Sequence, residues 1–131
     1  MKTINTKNAP QAIGPYSQAK VVNNLVFTSG QIPLKPDGTL VSGDFELECI
    51  QVLDNLKEVL IASGSSIPNI IKLTVYLTDL SKFDILNECF NNYFDLPEMY
   101  PNKFPARSTI EVSKLPKDSR VEIEAIGLIN E

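Results

Sequence analysis

The sequence contains no histidine, which removes a large part of the usual catalytic repertoire. A chain without imidazole cannot use a Ser-His or Cys-His nucleophile, a histidine-pair ribonuclease mechanism or a zinc site built on histidine. Any catalysis must therefore rely on carboxylates, arginine, lysine, tyrosine, hydroxyl groups and the backbone.

Cysteine is scarce as well. Cys49 and Cys89 lie far apart, with neither CxxC nor metal-ligand spacing, and each falls inside a predicted helix. We therefore expect two buried or half-buried thiols, which is the general habit of free cysteine, rather than a metal site.

Long apolar runs and a surplus of basic residues are also missing. No apolar stretch approaches the ~20 residues that span a bilayer, and the first residues lack the apolar core of a signal peptide, so we expect a cytoplasmic protein. A formal net charge of −4 and a pI near 4.8 argue against a broad surface for nucleic acid or anionic membrane. One local cationic pocket is compatible with this charge balance.

The residues that are present suit one globular domain. A length of 131 residues and an apolar fraction of 43% are sufficient for a buried core. We predict a single domain over residues 1–131 with an α+β fold, in which two helices pack on one face of a β-sheet. The predicted elements are a hairpin at 19–31, a helix at 45–63 ended by Gly64, a strand at 71–78, a second helix capped by Asp79 or Ser81 and closed by Pro97, a loop at 98–103, and two strands within 104–126.

Arg107 and Glu122 are the two ionic residues around which a site can be built. They lie in alternating runs joined by a turn at 115–118, and the alternation suggests that both occupy one polar face of two strands. If the runs pair as a simple hairpin, Arg107 lies roughly 13 Å along the strand from the position opposite Glu122, at ~3.3 Å per residue. We therefore hypothesise that the two side chains meet across a subunit boundary.

The sheet face without helices supports the same expectation. On the strands at 71–78 and 121–128 this face would mix polar side chains with large apolar ones. Such a surface is typical of a subunit interface, and it predicts an oligomer.

Several motifs resemble those of one known family. They are GPYSQA at 14–19, FTSGQIP at 27–33, the Leu86 and Asn87 pair, FPARS at 104–108, LPKD at 115–118 and VEIEAI at 121–126. In order and spacing, and over nearly the whole chain, these motifs resemble the RidA (YjgF) family of enamine/imine deaminases. The resemblance implies a chorismate-mutase-like fold with a mixed sheet, and a homotrimer with sheets facing inward and ligand sites between subunits.

The resemblance also implies roles for individual residues. Arg107 would bind the substrate carboxylate, and Glu122 would activate water. Thr109 stands where many members of the family have cysteine, and a contact through its backbone N–H would survive that difference. The remaining residues that match positions lining the family's pocket are Tyr16, Ser29, Gly30 and Asn87.

The implied reaction is hydrolysis of small enamine/imine intermediates, 2-aminoacrylate and 2-aminocrotonate, to 2-keto acids and ammonia. This chemistry requires no metal, flavin or nucleotide. Two other functions stay open. The same arginine pocket could bind or sense 2-keto or amino acids without turnover, and some members of the family carry a ribonuclease or translation-inhibitor label. The acidic balance and the absence of histidine disfavour the ribonuclease.

Overall fold

The computed structural model describes residues 1–101 and 104–130, which form a six-stranded β-sheet with two α-helices. The strands are β1 (Lys2–Ile4), β2 (Ala19–Val22), β3 (Leu25–Thr28), β4 (Ile70–Leu77), β5 (Ala106–Glu111) and β6 (Val121–Leu128), and the helices are α1 (Phe45–Ala62) and α2 (Phe83–Tyr93). The α+β class with a mixed sheet and two helices is confirmed. The loop predicted at 98–103 extends into residues outside the described part of the chain.

The β2–β3 hairpin follows from its turn residues. Val22 pairs with Leu25, so Asn23 and Asn24 alone make the turn, and Asn23 adopts a positive φ of 53°. Asparagine tolerates this left-handed conformation better than most residues. The predicted hairpin is confirmed, although β3 ends at Thr28, three residues earlier than expected.

The strand order is β1-β2-β3-β6-β4-β5. Strand β4 pairs antiparallel with β6 and parallel with β5, so β5 is an edge strand. The predicted hairpin between β5 and β6 is therefore wrong, because β4 lies between them. The physical reason is that β4 and β5 are joined through α2, a helical crossover that makes strands parallel, while residues 112–120 then carry the chain across β4 to β6.

Helix α1 begins at the predicted residue and ends one residue early, whereas α2 ends at Tyr93, four residues before Pro97, which was predicted to close it. The Asp44 side chain accepts a hydrogen bond from Leu47 N at 3.2 Å at the start of α1, and Gly64 follows its end with a φ of +87°. Asp79 caps a short 3₁₀ turn (Leu80–Lys82) that leads into α2, by accepting from Ser81 N at 3.0 Å. Of the two caps considered, Asp79 is thus the one in use.

The hydrophobic core lies between the sheet and the helices. Leu73, Val75 and Leu77 of β4 are fully buried there. The helices contribute Val52, Leu53, Leu56, Val59 and Leu60 of α1 and Leu86 and Phe90 of α2. Cys49 of α1 and Cys89 of α2 are free and buried in the same layer, which confirms the prediction for both thiols.

The opposite face of the sheet carries the predicted mixture of polar and apolar groups. Tyr76 of β4 lies opposite Glu122 of β6, and both side chains are half-exposed. Phe27 and Ile110 are exposed. We refer to this surface, which no helix covers, as the open face.

None of the helices in residues 1–101 and 104–130 is both long enough and apolar enough to cross a membrane. The same residues contain no group of three or more acidic or cysteine side chains that could hold a metal ion.

Candidate active site

Arg107 lies on the helix side of the edge strand β5. Its register partner is the buried Leu73 of β4, so its side chain points toward α2. There Arg107 Nη2 donates a hydrogen bond to Asn87 Oδ1 at 2.7 Å. The guanidinium carbon lies 5.3 Å from the centre of the Phe83 ring and 5.1 Å from that of Phe90. Two aromatic faces and one amide thus fix the orientation of the guanidinium.

The charge of Arg107 is not neutralised within the described part of the chain. The ion pair formed there joins Arg120 to Glu48, and Arg107 has no carboxylate within 4.0 Å in residues 1–101 and 104–130. Partial burial lowers the pKa of the Arg107 guanidinium. Arginine nevertheless stays protonated at neutral pH, so its remaining N–H groups are available to an anion.

A cavity of about 400 Å³ opens beside this arginine. Its walls are mainly apolar, and Arg107 and two asparagines supply the polar groups. The lining residues are Leu73, Asn87, Phe90, Asn91, Phe104, Pro105 and Arg107. We call this cavity the arginine half-site. A cationic donor in an apolar wall suits a small molecule with one carboxylate and a short apolar part.

Thr109 lies two residues after Arg107 on the edge strand β5 and does not line the arginine half-site. Val112 N donates to Leu77 O at 2.8 Å, which shows that alternate residues of β5 point their backbone groups at β4. Because this direction alternates along a strand, the N–H of Thr109 points away from the sheet. The Thr109 Oγ1 atom is enclosed and finds no hydrogen-bond partner among the described residues.

Glu122 belongs to a different place, the open face beside Gly30. A β-carbon on Gly30 would lie 2.7 Å from Cδ of Glu122, which is closer than real β-carbon contacts allow. The backbone on both sides is fixed, since Gln31 N donates to Ile123 O at 2.9 Å and Ile123 N donates to Gln31 O at 3.1 Å. Only glycine leaves room for the carboxylate here.

The second cavity contains Glu122, Tyr16 and Gly30, and we call it the glutamate half-site. Among the described residues, its lining consists of Pro10, Gln11, Ile13, Tyr16, Gln18, Gly30, Gln31, Ile32, Leu34, Pro116 and Glu122. The Tyr16 hydroxyl accepts a hydrogen bond from Ile13 N at 3.2 Å, while its ring stays about half exposed. Of the residues proposed from the sequence, this cavity therefore brings three together.

Ser29 lies next to this cavity without lining it. Its hydroxyl donates to the carbonyl of Ser17, and its N–H donates to Gln18 O at 2.9 Å. Both donors of Ser29 thus hold the chain before β2 against the end of β3. These bonds indicate that Ser29 positions the neighbouring Gly30 rather than contacting a ligand.

The carboxyl group of Glu122 is electrostatically perturbed. Burial raises its pKa above the usual 4.5, and the like charge of Glu124 adds to the rise. Glu124 is itself held in place, because the Tyr76 hydroxyl donates a hydrogen bond to its Oε1. A carboxylate with a raised pKa is a better proton acceptor at neutral pH than an ordinary one.

The two half-sites are separate within one chain. Arg107 faces the helices, whereas Glu122 faces the open side, so the expectation that both lie on one face is wrong. Strand β4 lies between their strands, and two strand spacings of ~4.8 Å with three residues of ~3.3 Å put their Cα atoms roughly 14 Å apart. As the sequence predicts, Arg107 and Glu122 are too far apart in one chain to meet. The cause is the intervening strand β4 and not an offset along a hairpin.

Sequence reasoning missed the aromatic residues of the arginine half-site. The spacing of apolar residues in α2 predicts that Phe83 and Phe90 belong to its buried stripe. Phe90 is buried, but Phe83 is 38% exposed, and both rings lie within cation–π distance of Arg107. A signal was available, because Phe83, Asn87 and Phe90 occupy positions i, i+4 and i+7 and therefore share one helix face.

Comparisons with known proteins are consistent across sequence and structure. The model of the family Endoribonuclease L-PSP matches residues 6–129. The RutC family protein PH0854 of Pyrococcus horikoshii is 47% identical over 96% of this chain and 96% of its own length. The 2-iminobutanoate/2-iminopropanoate deaminase of Escherichia coli K12 is 43% identical, covering 97% of each chain.

A solved relative extends the comparison to the fold. The crystal structure of E. coli TdcF with bound serine superimposes with a TM-score of 0.91 at 41% identity, over 99% of this chain and all of that one.

Proposed function

We propose, since this chain belongs to the Endoribonuclease L-PSP family, that it hydrolyses 2-iminobutanoate and 2-iminopropanoate to 2-keto acids and ammonia. The E. coli relative named for this activity matches nearly the whole chain at 43% identity. The observation that carries the proposal is the Arg107 guanidinium, which is oriented by two rings and an amide and has no carboxylate partner among residues 1–101 and 104–130.

Arg107 binds the substrate carboxylate in this proposal. A guanidinium grips a planar carboxylate through two parallel N–H···O bonds, and Asn87 already fixes the rotation of the group. The outward N–H of Thr109 supplies a further donor at the same edge. The apolar wall formed by Phe90 and Phe104 accommodates the carbon chain of the substrate.

Glu122 supplies the base. It accepts a proton from a water molecule as the water oxygen adds to C2 of the protonated imine, and a carbinolamine forms. Glu122 then returns this proton to the nitrogen. As the C–N bond breaks and ammonia leaves, Glu122 accepts the proton of the carbinolamine hydroxyl, C2 becomes a carbonyl, and ammonia takes up the proton as ammonium. Substrate and water together contain every atom of the products, so these side chains suffice without a cofactor.

A homotrimer completes the site. The arginine half-site of one copy meets the glutamate half-site of the next, which resolves the separation of roughly 14 Å within a chain. The exposed apolar side chains Phe27, Ile110 and Leu128 support burial of the open face between copies. Each copy contributes one domain, and we place the assembly in the cytoplasm, where small 2-imino acids arise from amino acid dehydration.

The test couples a threonine dehydratase to the protein and follows the release of 2-ketobutyrate. Acceleration that is lost in Arg107→Ala and Glu122→Gln supports the deaminase. The serine bound to E. coli TdcF makes binding without turnover the second candidate. Unchanged release together with measurable 2-ketobutyrate binding would favour that candidate, and RNA cleavage that survives Arg107→Ala would favour the ribonuclease hypothesis.

Mixed assemblies test whether the site is shared. Arg107→Ala and Glu122→Gln chains, each strongly impaired alone, are mixed at equal amounts, unfolded and refolded together. If each site takes its arginine and its glutamate from different copies, about a quarter of the sites regain both residues by random mixing. If one chain supplied both residues, no mixture would regain activity.

A further inference from the structure

An ion pair between a buried glutamate and a partly exposed arginine lies outside both half-sites. Glu48 of α1 is only 2% exposed, and Arg120 Nε donates to its Oε1 at 3.1 Å while Arg120 Nη2 donates to its Oε2. The Arg120 guanidinium also covers the ring of Phe45, 5.5 Å from the ring centre. This two-bond geometry fixes Arg120 against the first turns of α1.

Arg120 ends a tightly bent segment, residues 115–120, which we call the 115–120 loop. Lys117 and Asp118 adopt positive φ values of 56° and 53°, which residues with a β-carbon avoid. Asp118 N donates to Leu115 O, and Ser119 N donates to Pro116 O, each at 3.2 Å. A conformation of this kind persists only where its surroundings hold it.

The 115–120 loop borders the glutamate half-site at both of its ends. Pro116 lines the cavity that contains Glu122, and Arg120 directly precedes β6, two residues before Glu122. The Arg120 carbonyl accepts a hydrogen bond from Thr78 N at 3.2 Å, which ties this end to β4. A shift of Arg120 would thus move both the wall of the cavity and the residue proposed as base.

We propose that Glu48 and Arg120 are positioning residues, which hold the 115–120 loop against α1 and so place Pro116 and Glu122 for water activation. The inference rests on the proposed deaminase function. It assigns no contact with substrate to either residue. The arginine half-site is built on β5 and α2, and neither Glu48 nor Arg120 lines it.

If Glu48 and Arg120 position the base, loss of their ion pair should lower kcat with little change in KM. In Arg120→Gln, kcat per binding site should fall about tenfold, because small displacements of a catalytic group are costly. The KM for 2-iminobutanoate and the affinity for 2-ketobutyrate should stay within about twofold, since Arg107 sets them. Arg120→Lys, which keeps the charge, should recover part of the loss.

Two comparisons separate positioning from general stability. Tyr93→Phe removes a hydrogen bond of 2.7 Å to Asp54 that also involves α1 but lies away from the loop, and it should leave kcat unchanged. The double variant Glu48→Leu, Arg120→Met replaces the pair by apolar side chains, which often preserves stability. It should fold and still lose kcat.

Hydrogen exchange gives a readout that does not depend on turnover. In Arg120→Gln the amides of Asp118 and Ser119 should exchange about tenfold faster than in the wild type, and in Tyr93→Phe they should not. If the wild type failed to accelerate keto acid release, the proposed deaminase function would be wrong. Hydrogen exchange would still test whether the Glu48–Arg120 pair holds the 115–120 loop in place. Folded Arg120→Gln or double variants with wild-type exchange and wild-type kcat would overturn the inference.

Discussion

The Glu122 carboxyl group packs directly against Gly30, in the space that a β-carbon on residue 30 would need. An added Cβ on Gly30 would lie 2.7 Å from Cδ and 2.8 Å from Oε2 of Glu122. Gly30→Ala should therefore displace the carboxylate and reduce kcat about 100-fold, as expected for a misplaced general base. Steady-state rates with dehydratase-generated 2-iminobutanoate measure the effect.

The matched control is Gly14→Ala. A β-carbon there would meet the Tyr16 ring at 3.5 Å, which is ordinary van der Waals contact. Its kcat should stay within about twofold of the wild type. Equal losses in the two variants would mean that the Gly30 contact has no special role.

Arg107 should be irreplaceable by lysine. Hydrogen bonds to charged groups contribute about 1.5–3 kcal/mol, so loss of the guanidinium in Arg107→Ala should reduce kcat/KM roughly 10- to 100-fold. Arg107→Lys should recover little, because an ammonium cannot form the paired bonds or stack on Phe83 and Phe90 in the same way. Titration with 2-ketobutyrate provides an independent measure, and wild-type affinity in Arg107→Lys would contradict the paired-bond geometry.

The pH dependence of the rate should report Glu122. Its pKa is raised by burial and by Glu124, so kcat should rise with pH through a midpoint above 4.5 as the carboxyl loses its proton. Glu124→Gln removes the like charge and should lower this midpoint. A midpoint that moves upward or stays unchanged in Glu124→Gln would show that Glu124 does not influence the base.

Stability should respond to Glu122 in the opposite direction from activity. Because the folded pKa lies above the unfolded one, the folded state binds more protons between these values, and stability falls as pH rises through that window. Glu122→Gln should therefore raise the melting temperature at pH 7 by a few degrees while reducing kcat about 100-fold or more. Below pH 4.5 the melting temperatures of variant and wild type should converge.

Thr109 should act through its backbone. Thr109→Cys and Thr109→Val keep the outward N–H and should retain kcat/KM within about threefold, whereas Thr109→Pro removes that N–H and should raise KM about tenfold. Proline is tolerated at an edge strand where the N–H faces away from the sheet, so the fold should persist. Circular dichroism and gel filtration check this, and a large loss in Thr109→Val would assign the role to the hydroxyl instead.

Strong periodic patterns predicted most of the fold. Three local patterns each predicted an element that the structure contains. They are the alternation of apolar and polar residues in β4, the spacing of apolar residues by three and four in both helices, and the Asn23–Asn24 turn. The pairing of β5 was wrong because alternation does not say which face a strand presents or which neighbour it takes. The order strand, helix, strand from β4 through α2 to β5 contains the missing signal, since such crossovers join parallel strands.

The sequence did not reveal how the residues proposed for the site are arranged, and their roles stay predictions. Arg107, Asn87 and Thr109 are near one another, as are Glu122, Gly30 and Tyr16, but no local pattern reveals that β4 separates the two groups. The aromatic neighbours of Arg107 were hidden because a phenylalanine in an apolar stripe has the same pattern whether it fills the core or flanks a cation.

The edge position of β5 has a consequence for solubility. The strand that carries Arg107 and Thr109 points alternate backbone groups outward, and an isolated copy would offer them to any extended peptide of another molecule. In the proposed trimer the neighbouring copy shields this edge. Substitutions that weaken subunit association should then cause aggregation as well as inactivation. Selection that preserves the shared active site would therefore also keep the β5 edge covered.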